Sequence, residues 1–216
     1  MNNKYSCLLL ASGGMDSTVL AYKLLAENES PLIIIFNYGQ HFFTKEFETL
    51  KLVIPKLYTN NIKLIDISDV YSFSKSRMIV KADLWKDEVV ADDLYLPYRN
   101  LLFLTIGAAI AQTYDIKDVY SAFINSNHAK EIDCSKKFFD EMEVILKEYG
   151  PVKIHMPFRN MTKTDVANLG LLEKAPIALT YSCQVNSANP CGVCPNCVDR
   201  LEAMKNIMNN IGGEVK

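Results

Sequence analysis

Two short stretches of the chain place reactive residue types at spacings that chemistry can use. Near the N-terminus, Ser12-Gly13-Gly14-Met15-Asp16-Ser17 lies where an apolar run hands over to a helical pattern. Paired glycines permit positive φ and let the main chain approach a ligand closely, so successive N–H groups can converge on an anion. The helix start adds unsatisfied N–H groups and the positive end of its dipole, and the hydroxyls of Ser12 and Ser17 are further donors. The stretch is a candidate phosphate cradle. It is not a Walker loop, because its second glycine is not followed by Lys and then Ser or Thr. For Asp16 three roles stay open: holding magnesium, capping the helix or orienting the loop. Magnesium takes only one or two carboxylates from protein and fills its other positions with phosphate and water.

Near the C-terminus, Cys183, Cys191, Cys194 and Cys197 follow C-x7-C-x2-C-x2-C spacing. Two-residue gaps let one short loop bring several sulfurs to one ion, and Gly192 and Pro195 supply turn geometry. Four thiolates make a closed tetrahedral zinc site with no position for substrate, so its expected role is structural. An iron–sulfur cluster and a redox C-x2-C pair are the alternatives. Cys7 and Cys134 read as inert thiols.

The elements that must position these groups alternate. Tyr5 to Ala11 is an apolar run of strand length, as a strand covered on both faces would be. From Ser17 the spacing turns helical, with Val19, Leu20, Leu24 and Leu25 on one side. Leu32 to Phe36 and Ile62 to Ile67 read as further strands, with a helical stretch around Phe47, Leu50 and Ile54 between them. Ser68 to Leu96 has no sustained period and reads as a long loop with one helix at most. Asn100 to Tyr114 suits a buried helix, Val119 to Ile124 a strand, Phe138 to Lys147 a helix and Val152 to Met156 a short strand. Thr162 with Asp165 forms a capping box for a helix through Leu172, and Val198 to Met208 is a final helix. This alternation predicts an α/β fold with a doubly wound, mainly parallel sheet and a small C-terminal zinc-binding region of helix and loop. The expected division is a main domain over 1–180 and a zinc-binding region over 181–216.

Composition agrees with a globular chain: of 216 residues 49% are hydrophobic and 22% charged. A formal charge of −2 offers nucleic acid no general attraction. No run reaches about 18 consecutive apolar residues, the length of a membrane span. The N-terminus lacks the sections of a signal peptide, so the expected location is the cytosol.

The loop Ser12 to Ser17 resembles the pyrophosphate-binding loop of N-type ATP pyrophosphatases, an adenine-nucleotide alpha-hydrolase-like group that cuts ATP between its α and β phosphates. Together with the four cysteines it resembles the 7-cyano-7-deazaguanine synthase family of the queuosine pathway. Further matching residues are Tyr38-Gly39-Gln40, Pro97, Arg99-Asn100, Asp133-Cys134, Lys163, Ser182-Cys183 and Arg200. The resemblance implies ATP, Mg2+ and Zn2+, often a homodimer, and a ligase that adenylates 7-carboxy-7-deazaguanine, adds ammonia and dehydrates the amide to the nitrile. It implies nucleotide contacts at Ser12, Gly13, Gly14, Met15, Asp16, Ser17, Tyr38 and Gln40. Catalytic work is expected of Asp16, Arg99 and Lys163, and substrate contacts of Arg99, Asn100, Asp133 and Cys134. Arg99 suits a phosphate or a carboxylate, Lys163 the α phosphate, and Asp133 a purine-like edge. His41 and His128 are either acid–base groups or polar surface.

The chain departs from the family pattern at three places. His41-Phe42 stands where Arg-His is usual, Tyr98 where Gly is usual, and Ala122 to Ile132 replaces a Gly-rich stretch. These departures touch acid recognition and leave the ATP chemistry alone. Three rival functions follow: a relative that adenylates a similar acid and delivers it to another amine, for example on a protein, a tRNA-modifying ATP pyrophosphatase, and a nucleotide-binding or zinc-scaffold protein whose catalysis has decayed.

Overall fold

The computed structural model describes residues 4–83, 89–124, 135–185 and 189–213. Five strands, β1 (Cys7–Leu10), β2 (Pro31–Asn37), β3 (Ile62–Asp66), β4 (Asp118–Ser121) and β5 (Lys153–His155), form one sheet in the order β3-β2-β1-β4-β5. Every neighbouring pair is parallel. The central strands read as unbroken apolar runs because both faces are covered: Leu8, Leu32, Ile34 and Val119 enter one core, and Cys7, Leu9, Ile33 and Ile35 the other. Each fully buried aliphatic side chain stabilises the fold by about 1.5–3 kcal/mol. A one-residue slip would exchange the two sets, which fixes the register.

Among the described residues six α-helices flank the sheet: α1 (Met15–Ala26), α2 (Phe43–Val53), α3 (Arg99–Thr113), α4 (Lys136–Tyr149), α5 (Lys163–Leu172) and α6 (Pro195–Gly213). Leu104 and Ala111 of α3 with Phe139 and Met142 of α4 fill the first core; α1, Leu50 of α2, Val166 of α5, and Ala203 and Ile207 of α6 fill the second. The segment Asp92–Thr113 is long and apolar enough by composition to cross a membrane. Here its helix lies on the sheet, so closely that a Cβ on Gly107 would stand 3.1 Å from a Leu10 methyl carbon.

Local chemistry explains the boundaries. Ile54 is extended, at φ −67° and ψ 147°, as a residue before proline prefers, and α2 stops there. The Ser135 hydroxyl accepts the Phe138 N–H at 3.1 Å and caps α4. The predicted capping box on α5 is present, with Thr162 Oγ1 accepting the Asp165 N–H at 3.1 Å and Asp165 accepting the Thr162 N–H at 2.8 Å.

Four details differ from the sequence reading. Helix α1 begins at Met15, two residues before the predicted start, because Gly14 at φ −71° and ψ 166° already serves as N-cap. Strand β4 stops at Ser121 and leaves 122–124 irregular. Helix α6 begins at Pro195, whose fixed φ suits a first helical position. The described parts of 68–96 hold two 3-10 turns, Ser68–Tyr71 and Ala91–Leu94, and no α-helix.

Candidate active site and metal centre

A cavity of about 970 Å³ opens at the C-terminal ends of β1, β2 and β4, bounded by Leu10 and Ala11, Ile35 and Phe36, and Ser121 to Ile124. The chain runs from β1 outward through β2 and β3, then returns to β4 on the other side. Crevices where strand order reverses this way are where open parallel sheets bind ligands. Ser12, Gly14, Met15, Asp16 and Ser17 all line the cavity.

Gly13 is the turn's pivot. At φ +74° it adopts a conformation L side chains rarely take, and a Cβ there would lie 2.7 Å from Leu50 N and 2.8 Å from the Glu46 carbonyl oxygen. Ser17 Oγ accepts the Ser12 N–H at 3.2 Å, and Ser12 Oγ accepts the Gly14 N–H at 3.3 Å, which stiffens the turn. No side chain caps α1, so its first-turn N–H groups keep their capacity for an anion. From the C-terminal part of the chain, Tyr181 donates its N–H to the Gly13 carbonyl at 3.2 Å.

Lys163, at the start of α5, grips both carboxylate oxygens of Asp16, at 2.8 and 2.6 Å across 147 residues of sequence. Both are partly buried and both line the cavity. Arg99 and Asn100, at the start of α3, form the opposite wall with Tyr38. The Arg99 Nη1 lies 3.0 Å from Met78 Sδ. Gln40 does not line the cavity: its Oε1 accepts the Tyr38 N–H at 2.8 Å, and its Nε2 donates to the Phe36 carbonyl at 3.1 Å and to Glu46 at 3.0 Å. Its side chain therefore braces the turn after β2. Phe36 and Phe103, stacked at 4.4 Å, add an apolar wall. His41 is half-buried, edge-on to Phe42 at 5.1 Å, and burial holds its pKa below the usual value. Asp133, Cys134, His128 and most of the segment 122–132 lie outside the described residues.

Several cavity residues escaped the sequence reading. Glu46, on the first turn of α2, is partly buried, and loss of water pushes its carboxyl up to about 7 against the pull of Gln40 and Arg99. Arg159, three residues before the Thr162 cap of α5, is held by Asp140 at 2.8 Å and lies over the Phe139 ring. Asp199 and Glu202 of α6 complete the wall, beside Ser182, which the family resemblance already names. The only signal for these was an acidic residue in a helix's first turn or a cation beside a capping box, which surface residues show equally often.

The four predicted cysteines converge, their sulfurs within 4.8 Å of one another. Cys183, Cys194 and Cys197 are buried and Cys191 half-buried. Among the described residues this is the only group of three or more His, Cys, Asp or Glu placed to share an ion. Main-chain N–H groups point at the sulfurs, Cys191 N to Cys183 at 3.4 Å and Cys194 N to Cys191 at 3.2 Å, an arrangement that supports thiolates around a metal. Gly192 makes the knuckle's turn at φ +78°. Sulfurs bound to zinc at about 2.3 Å stand nearly 4 Å apart, so the donor set and its size fit tetrahedral zinc. Cys7 sits apart in β1, its thiol pushed up to about 12 by burial, as an inert group would be.

The comparisons with known proteins agree with this geometry. The family model that matches, described as "Queuosine biosynthesis protein QueC", covers residues 6–208. Among curated relatives named 7-cyano-7-deazaguanine synthase, one from Picrophilus torridus is 33% identical over 208 residues, covering 91% of this chain and 84% of its own. One from Archaeoglobus fulgidus is 32% identical, with the same coverage, and one from Campylobacter jejuni is 27% identical over 95% of both chains. A match that begins just before β1, takes in the glycine turn and all four cysteines, and ends within α6 means that the chain belongs to the QueC family.

Proposed function

We propose that this protein is an AMP-forming, ATP-dependent ligase that converts 7-carboxy-7-deazaguanine with ammonia to the amide and then to 7-cyano-7-deazaguanine. The observation that carries the reading is the uncapped N-terminus of α1, entered through a left-handed glycine and opening on a cavity large enough for a nucleotide and a second ring. The acid's carboxylate oxygen attacks the α phosphorus, the α–β bond breaks, and pyrophosphate leaves against the α1 amides. Preorganised donors at that point act where charge develops, which is the largest expected electrostatic contribution. Lys163 exchanges Asp16 for the α phosphate, and Arg99 uses its planar fork on the carboxylate or a phosphate. Mg2+ would neutralise charge on the β and γ oxygens, with Asp16 as its protein ligand.

Ammonia then attacks the acyl carbon, the bond from that carbon to the bridging oxygen breaks, AMP leaves carrying this former carboxylate oxygen, and one proton is released. The amide oxygen then attacks the α phosphorus of a second ATP with loss of a second pyrophosphate, the nitrogen gives up its two protons, and AMP leaves with the oxygen to give the nitrile. Phe36 and Phe103 offer a flat apolar surface to a ring, while Asp133 and Cys134 are assigned to the deazapurine edge. Zinc held by Cys183, Cys191, Cys194 and Cys197 would be structural, since four thiolates leave no open position. We place the enzyme in the cytosol as a homodimer.

A second reading keeps the adenylation and sends the acyl group to another amine, such as one on a protein. It is favoured by the segment Ala122 to Ile132, which follows β4 in sequence and lacks the family's glycines. Incubation with ATP, 7-carboxy-7-deazaguanine and ammonium, followed by mass spectrometry, separates the two. Amide and nitrile with stoichiometric AMP support the first; pyrophosphate release without either product supports the second. No pyrophosphate release under any condition sinks both.

A further inference from the structure

The cysteine cluster and the glycine turn are joined by one short bridge. Residues 177–183 run beneath the turn, and α6 holds that segment at both ends. At one end Arg200, three residues after Cys197, donates to the carbonyl oxygens of Ile177 at 2.8 Å and Ala178 at 3.2 Å and to the Thr180 hydroxyl. At the other end Cys183 is fixed by the cluster, and both Thr180 and Cys183 are buried. Between the two anchors, Tyr181 donates its N–H to Gly13. Beyond the bridge, Asn206 of α6 donates to Thr164 Oγ1 at 3.2 Å, beside Lys163. Ser182, Gln184, Asn196, Asp199 and Glu202 of the same region line the cavity itself.

We propose that metal in the four-cysteine site and nucleotide at the glycine turn are thermodynamically coupled through Arg200 and Tyr181, so that each tightens the binding of the other. This rests on the nucleotide reading above. A cluster emptied of its ion no longer fixes Cys183, which frees one end of the bridge and lets the Gly13 carbonyl, and with it the α1 amides, lose their setting. Coupling between binding equilibria is reciprocal: the factor by which zinc strengthens ATP binding equals the factor by which ATP strengthens zinc binding.

The test is a zinc titration of the intact protein, with free zinc fixed by excess chelator, with and without saturating Mg-ATP. A parallel ATP titration by calorimetry uses the zinc-loaded and zinc-depleted protein. The expected result is the same factor from both directions, about 10-fold, within the ordinary range of site-to-site coupling. Arg200→Gln keeps all four cysteines and so tests the bridge itself. In that variant zinc affinity without ATP is expected to stay as in the parent, while the coupling factor falls toward one. Zinc affinity indifferent to ATP, or a factor unchanged by Arg200→Gln, overturns the proposal and leaves the nucleotide reading intact. Failure of ATP to bind the zinc-loaded protein at all would remove the nucleotide reading, and the coupling with it.

Discussion

Glu46 offers the sharpest quantitative test of the cavity's electrostatics. In the unfolded chain its carboxyl loses its proton near the ordinary 4.5, whereas in the fold burial holds the proton to about 7. The folded state therefore binds this proton more tightly. The group's favourable contribution is complete below about pH 4.5 and is lost as pH rises toward 7. At about 1.36 kcal/mol per pH unit the ionised form costs the fold roughly 3 kcal/mol above pH 7. The side chain is only partly buried and faces an open cavity, so solvent screening lowers this to about 2 kcal/mol. Glu46→Gln removes the ionisation and keeps an oxygen to accept the Gln40 amide, which now stands 3.0 Å from the carboxylate. Urea unfolding of the ligand-free protein at pH 5, 6, 7 and 8 is the assay. Other groups titrating in that window are shared by both proteins and cancel in the difference. The variant is expected to exceed the parent by less than about 1 kcal/mol at pH 5, where the unfolded carboxyl is already mostly ionised, and by about 2 kcal/mol at pH 8. A difference independent of pH would refute the reasoning, because it would mean that Glu46 ionises in the fold as freely as in water.

Gly13→Ala places a Cβ at φ +74° within 2.8 Å of two α2 main-chain atoms. Left-handed strain and overpacking together should cost about 2–5 kcal/mol, read by thermal unfolding, and abolish pyrophosphate release. Lys163→Met strands Asp16 and removes the cation assigned to the α phosphate; kcat for pyrophosphate release should fall about 100-fold or more with KM little moved, and a change in KM alone would contradict the assignment. Tyr98, at φ +57° and largely exposed, holds a left-handed position where the family pattern has glycine. Tyr98→Gly should therefore stabilise the protein by about 0.5–1 kcal/mol despite glycine's greater freedom when unfolded, which denaturant unfolding would show.

What the sequence made legible was whatever is written locally. The strand runs, the glycine turn, the capping box at Thr162 and the cysteine spacing each depend on residues a few positions apart, and each recurs in the fold. The start of α1 was missed by two residues because Gly14 caps the helix with its backbone alone, a role no side chain announces. Glu46 and Arg159 were missed for another reason: their environment is made by partners distant in sequence. Asp16 and Lys163 were both singled out, yet the ion pair between them depends on the long path from α1 to α5. Gln40 was assigned outward, toward the nucleotide, and the fold turns it inward, because three backbone and side-chain groups around the β2 turn need its amide.

The position of β1 at the centre of the sheet has a consequence for how such a catalyst can change. Tyr38, Arg99 and Glu46 border the cavity from one flank, while 121–124 and Arg159 border it from the opposite one, and the glycine turn sits on the seam between them. On the function proposed above, new cargo can then be accommodated by rewriting the β4 flank while the parts assigned to ATP stay untouched, as with a tool whose bit is swapped and whose motor is kept. Ala122, Phe123 and Ile124, the described residues of the unusual segment, fall on the replaceable side.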